Sequence, residues 1–202
     1  MSAVASAIRR TAYWNARRRL CVGERPYAET PGNIDDLTLS DAQLRLGRAL
    51  AATGKPIVVV LVEGRPRIMR DLADAAQGIV LALNPGLEGG SAIADVLLGQ
   101  VNPSGKLPIT YPRDSNALRP YDHTVFEEQN PGFGLKAYRP QFEFGFGLSY
   151  TTFEYSNLEA WPRHGSPDTA VDVAVTVRNA GGRALKWFTC SSRIWSPALR
   201  RP

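Results

Sequence analysis

Two short runs of buried-type residues constrain this chain more than anything else in it: IVVVLV (Ile57 to Val62) and IVLALN (Ile79 to Asn84). Unbroken β-branched stretches of this length are how strands covered on both faces of a parallel sheet read, because no position is left for a solvent-facing polar residue. Parallel strands need crossovers, and helical patterns surround both runs. DAQLRLGRALAATG (Asp41 to Gly54) places Leu44, Leu46, Leu50 and Ala51 at mostly helical spacing, with Asp41 near the start and Gly54 as a stop. GRPRIMRDLADAAQ repeats the pattern through Met69, Leu72 and Ala76. After the Gly-rich turn PGLEGG, AIADVLLG puts Ile93, Val96 and Leu97 on one face, with Ser91 as the predicted cap and Gly99 as the end. Helix, strand, helix, strand, helix predicts a three-layer α/β sandwich with a mostly parallel sheet.

Beyond NPSGKLPITYP the periodicity fades, and Arg113 to Pro140 predicts a long surface connection. QFEFGFGLSYTTFEYSNLEA alternates Phe142, Phe144 and Phe146 on one side, and AVDVAVTVRN alternates Val171, Val173, Val175 and Val177 as a half-buried strand. An all-β segment thus begins near residue 151. With one or two strands legible against the roughly seven of a full sandwich of the immunoglobulin or fibronectin kind, an incomplete all-β segment is expected.

Four segments, in this order, resemble the C-terminal part of a family 3 glycoside hydrolase of the β-glucosidase type. They are VGERPYAETPGN (Val22 to Asn33), GRP (Gly64 to Pro66) with NPGLEGGSAIADVLLGQVNPSGKLPITYP (Asn84 to Pro112), YDH (Tyr121 to His123) and FEFGFGLSYTTFEYSNL (Phe142 to Leu158). The resemblance implies a division into an α/β domain over residues 21–150 and the start of a fibronectin type III-like domain over 151–182. Residues 1–20 and 183–202 are left as atypical basic ends. It also implies hydrolysis of a terminal β-linked sugar, glucose in the parent enzyme, with retention of configuration and no cofactor.

Enzymes of this family carry the nucleophilic Asp on a barrel domain, which no segment here resembles. Where the pattern GExPYxE occurs, its last Glu is the general acid/base, and carried onto this sequence that residue is Glu29. Retaining glycosidases set two carboxyl groups about 5 to 5.5 Å apart across the anomeric carbon, so one Glu is insufficient. The expectation is therefore a fragment that contributes the acid/base, is inactive alone, and has a family 3 barrel and a β-linked glucoside or oligosaccharide as partners. The alternative is a non-catalytic carbohydrate-binding or scaffold module paired with a separately encoded barrel.

Other candidates have plainer readings. Glu24 opens the same motif and takes a supporting role by resemblance; a self-sufficient Glu24/Glu29 dyad is the lesser alternative. PGLEGGS lacks the spacing of a phosphate loop and reads as a strand-to-helix turn, with Glu88 on an interdomain surface. Phe142 to Phe146 reads as packing in preference to a sugar platform, and Asp122 with His123 as a turn contact. Cys21, Cys190, His123 and His164 are too scattered for a metal site.

Charge is segregated. The chain carries 24 Lys and Arg against 19 Asp and Glu, a net +5. Five of the bases fall in residues 1–20 and five in 183–202, where there is no acid, so the body between carries −5. The basic ends contain Trp14, Trp187, Trp195 and Cys190 without periodicity, with Cys21 at the border of the first, and RRTAYWNARRRLC shows no apolar strand before Val22. Such enrichment is what an out-of-frame reading of GC-rich DNA gives, so no nucleic-acid partner is assigned. No run approaches the ~20 apolar residues of a membrane span, and no signal-peptide stretch follows the first arginines. Cytoplasmic location is expected for the chain as written, with the parent enzyme periplasmic or secreted.

Overall fold

In the computed structural model, residues 18–115, 140–162 and 170–182 are described, together with the backbone of 5–8. They fall into two units, divided after Ser149.

The first unit is built on a four-stranded sheet in the order β1-β4-β3-β2. Its strands are β1 (Ala5–Ile8), β2 (Arg18–Gly23), β3 (Ile57–Val62) and β4 (Gly78–Leu81). β2, β3 and β4 run parallel, and β1 is antiparallel to β4. Alternation along β3 divides the core in two. Ile57, Val59 and Leu61 share one cluster with Leu20, Val22, Ile79 and Leu81, to which Leu44 of α1 (Asp41–Ala51) and Leu72 of α2 (Asp71–Ala75) contribute. Val60 and Val80 face the other way, against Val96 of α3 (Gly89–Leu98). Helices on both faces of a mostly parallel sheet are the three-layer α/β sandwich that the buried runs predict.

Several expectations need correction. A strand does precede Val22: β2 pairs with β3 along its whole length, with Arg18 opposite Ile57 and Gly23 opposite Val62. Only Leu20 and Val22 turn inward while Arg19 and Cys21 are exposed, so two apolar residues carry a strand that opens with two arginines. The second helix is only five residues long. Its expected first half is extended, because Ile68 forms a parallel bridge with Thr38; its N–H donates to the Leu37 carbonyl, and its own carbonyl accepts from Leu39. β4 stops at Leu81, since Leu83 at φ 53° turns the chain while its carbonyl accepts from the N–H of Glu63. Ser91 is not a cap: α3 starts at Gly89 with Glu88 in the capping position, and Gly99 at φ 72° ends it.

The phenylalanine row is not a strand either. Phe142 bridges Tyr111, Gly145 turns the chain at φ 77°, and Phe146 returns to accept from Leu107 at 2.8 Å. Phe142 and Phe146 stack with centroids 5.4 Å apart, and Tyr111 meets Phe142 edge-on at 5.9 Å. Both phenylalanines pack against the main core.

In the second unit, β5 (Phe153–Trp161) and β6 (Asp172–Asn179) form an antiparallel ladder with a register shift between Ser156 and Glu159. The valine alternation is present, but Val173 is 63% exposed and Val175 41%, in place of the half-burial expected of them.

Candidate functional site

β2 and β3 end side by side, and the N–H of Glu24 extends their ladder by donating to the Val62 carbonyl at 3.0 Å. The next residues therefore leave the sheet at the carboxyl ends of parallel strands, which is where open α/β sheets place ligands. From β2 emerges the loop that carries Arg25, Tyr27 and Glu29; from β3 emerge Glu63, Gly64, Arg65 and Arg67. Gln43 of α1 holds the exit of β2 by donating to the Gly23 carbonyl at 3.0 Å.

Glu29 is exposed, with φ 51° and ψ −141°, and precedes a 3-10 turn at Thr30–Gly32. Its carbonyl accepts from the N–H of Gly32 at 2.9 Å, and its side chain makes no capping hydrogen bond. Arg65 grips the loop on both sides of it. The Arg65 guanidinium lies 4.1 Å from the Tyr27 ring centroid, Nε is 3.1 Å from the Tyr27 hydroxyl, and Nη2 donates to the Gly32 carbonyl at 2.5 Å.

Glu24 is not brought into an open pair with Glu29. Its carboxylate, only 8% exposed, sits 3.0 Å from Arg65 Nε and 3.1 Å from Arg67 Nη1, and accepts from the N–H of Gly64 at 3.2 Å. These contacts tie the exit of β2 to that of β3. Arg67 also donates to the Thr38 carbonyl at 2.6 Å. Hydrogen bonds from Thr38 hold the exposed Asp36 carboxyl below the usual carboxylate range.

Behind this surface lies a pair that the sequence reading missed. Glu63 and Tyr111 are each 1% exposed, and their oxygens are 2.7 Å apart. Burial above all pushes the Glu63 carboxyl up to about 7, helped by the charge of Glu24 and opposed by hydrogen bonds from Tyr111 and Arg67. Burial and the neighbouring Glu63 charge push the Tyr111 hydroxyl well up as well. Glu63 lies two residues past Leu61, in phase with the buried face of β3, and that phase was the available signal.

Glu88 is exposed at the start of α3. Asp122, His123, Trp14 and residues 183–202 lie outside the described residues. A cleft of about 290 Å³ lined by Asp74, Gln77, Arg113 and Phe142 shares no residue with the Glu24 to Glu29 loop.

The profile described as Glycosyl hydrolase family 3 C-terminal domain matches residues 19–150. The chain belongs to glycoside hydrolase family 3. Among its relatives in that family, it is 48% identical over 139 residues to the lysosomal beta glucosidase of Dictyostelium discoideum, covering 68% of this chain and 16% of that protein. It is 39% identical over 158 residues to the periplasmic beta-glucosidase of Salmonella typhimurium, covering 73% of this chain and 21% of that protein. A solved β-glucosidase from Erythrobacter marinus superposes with a TM-score of 0.70 at 36% identity, over 82% of this chain and 23% of that one. This family 3 chain thus spans about a fifth of the length of these relatives, and its matched segment takes in β2 together with the Glu24 and Glu29 loop.

Proposed function

We infer that this chain supplies the general acid/base of a retaining family 3 β-glucosidase, and that Glu29 is that residue. The observation that carries this reading is the placement of Glu29, last residue of the Gly23 to Glu29 motif. It is exposed on a loop at the carboxyl ends of the parallel strands, between two points held by Arg65. Its backbone lies at a positive φ that costs a non-glycine residue about 1 to 3 kcal/mol, and such strain concentrates where a side chain must be aimed.

The chemistry takes two steps. A carboxylate on the barrel domain attacks the anomeric carbon while Glu29 gives its proton to the departing glycosidic oxygen, breaking that carbon–oxygen bond and leaving a glycosyl–enzyme ester. Glu29, now ionised, then takes a proton from water as the water oxygen attacks the same carbon and releases the sugar with its configuration retained. Glu24, neutralised by two arginines, takes no part in the proton transfers.

The barrel's carboxylate has no counterpart in the motifs of this chain, so the chain alone is inactive. Purified and incubated with an aryl β-glucoside, it is expected to release no phenol above buffer. Release that disappears in Glu29→Gln would show a self-sufficient enzyme and overturn this reading.

A further inference from the structure

We propose that Glu63 is a proton-bearing positioning residue: in its neutral form it completes a hydrogen-bond chain through Tyr111 to the Arg67 backbone, fixing the turn from which Arg65 and Arg67 hold Glu24 and the Glu29 loop. Its relevance to catalysis rests on the reading of Glu29 given above; the geometry does not.

A count of protons carries the proposal. The Tyr111 hydroxyl stands 2.7 Å from Glu63 Oε1 and 2.7 Å from the Arg67 carbonyl, and accepts from the Arg67 N–H at 3.1 Å. It has one hydrogen to give and two acceptors at equal distance. With Glu63 ionised, one acceptor goes without. With Glu63 protonated, its O–H donates to Tyr111, Tyr111 donates to the Arg67 carbonyl, and every short contact has a hydrogen. The other carboxyl oxygen, Glu63 Oε2, is buried with no partner among the described residues, a position that a neutral acid tolerates far better than a carboxylate.

Few charged or titratable groups act on Glu63. Tyr111 faces it from the segment after α3, Glu24 from the end of β2, and Arg67 from the stretch after β3. Arg67 is the one cation among them; its Nη1 and Nη2 are committed to Glu24 and the Thr38 carbonyl, and its buried Nε has no partner among the described residues. Ionisation of Glu63 removes the donor that locks Tyr111 to Arg67. Residues 64–67 then loosen, and with them the grip of Arg65 on Tyr27 and Gly32.

The test is nuclear magnetic resonance on the full 202-residue chain between pH 5 and 9, following glutamate side-chain carboxyl carbons and backbone amides. One carboxyl is expected to titrate with a midpoint of about 7 and to vanish in Glu63→Gln. Amides of Arg67 and of Thr30 and Gly32 are expected to shift with that midpoint, to stay flat in Glu63→Gln, and to keep it in Glu29→Gln. Should Glu63→Gln not fold, Tyr111→Phe gives the second reading: the carboxyl still titrates, but the Thr30 and Gly32 amides no longer follow it. A Glu63 carboxyl titrating in the ordinary range, or loop amides with unaltered titration in Glu63→Gln or Tyr111→Phe, would overturn the proposal. None of these readouts uses activity, so a failure here leaves the role of Glu29 open, and a failure of Glu29 leaves this result standing.

Discussion

Arg65 and Tyr27 are joined twice, by a bond of 3.1 Å from Nε to the phenol oxygen and by the guanidinium lying 4.1 Å from the ring centroid. A lysine can reproduce neither the fork nor the stacking. Arg65→Ala is expected to lower stability by about 1 to 3 kcal/mol, summing a partly exposed cation–π contact and charge-assisted hydrogen bonds. Arg65→Lys should recover less than half of that loss, which urea denaturation of the three proteins would measure.

The pH dependence of stability has a definite sign. Glu63 goes from the ordinary 4.5 when unfolded to about 7 when folded, so between those values the folded state binds the extra proton. Stability attributable to this group is thus greatest below the lower value and falls as pH rises toward and past the upper one. The total is about 3 kcal/mol at 1.36 kcal/mol per unit. Urea midpoints at pH 5 and pH 8 should differ accordingly in the parent chain, and the difference should shrink in Glu63→Gln. Asp71 and Asp36, held below the usual range by Arg48 and by Thr38, act at lower pH; their stabilisation is lost only as pH falls through their depressed values.

Glycine substitutions separate backbone collision from conformational strain. At Gly23, φ is 151° and a Cβ would run into the Val62 carbonyl, part of the ladder that brings Glu24 beside β3. Gly23→Ala is expected to cost several kcal/mol, because neither strand can yield without breaking that ladder. Gly54, at φ 66° with open space around it, should cost about 1 kcal/mol as Ala. Thermal melts of the two variants give the comparison.

The Arg48–Asp71 pair, at 2.7 Å between α1 and α2, marks the other end of the scale. Both side chains are more than half exposed, so Arg48→Ala should lower the urea midpoint only slightly, and less still at high salt.

The buried strands were legible because they leave no polar position, and Ile57 to Val62 is the observed β3 to the residue. β2 was not legible, since one inward-facing edge with Leu20 and Val22 is too short a period among Arg18, Arg19 and Cys21. α2 was over-read because side-chain spacing does not reveal that the Ile68 backbone is engaged with Leu37 and Leu39. At the site, the motif supplied Glu24 and Glu29, but the groups that hold Glu24 and the Glu29 loop, Gly64, Arg65 and Arg67, come from the segment after β3, 33 to 43 positions away in sequence, and Tyr111 in turn holds Arg67 from 44 positions away. Such long-range partners leave no local periodicity to read.

On the proposed reading, Glu29 moves the proton. Its most direct test is a chimera in which residues 19–150 replace the corresponding segment of the Dictyostelium relative, assayed on aryl β-glucosides of graded leaving-group basicity. The chimera should hydrolyse them, and Glu29→Gln should lower kcat by about 10²- to 10⁴-fold on the substrate with the most basic leaving group. It should lower it far less on an activated one, with added azide restoring turnover. An active chimera whose Glu29→Gln form keeps its kcat on the basic leaving group would rule Glu29 out as the acid/base.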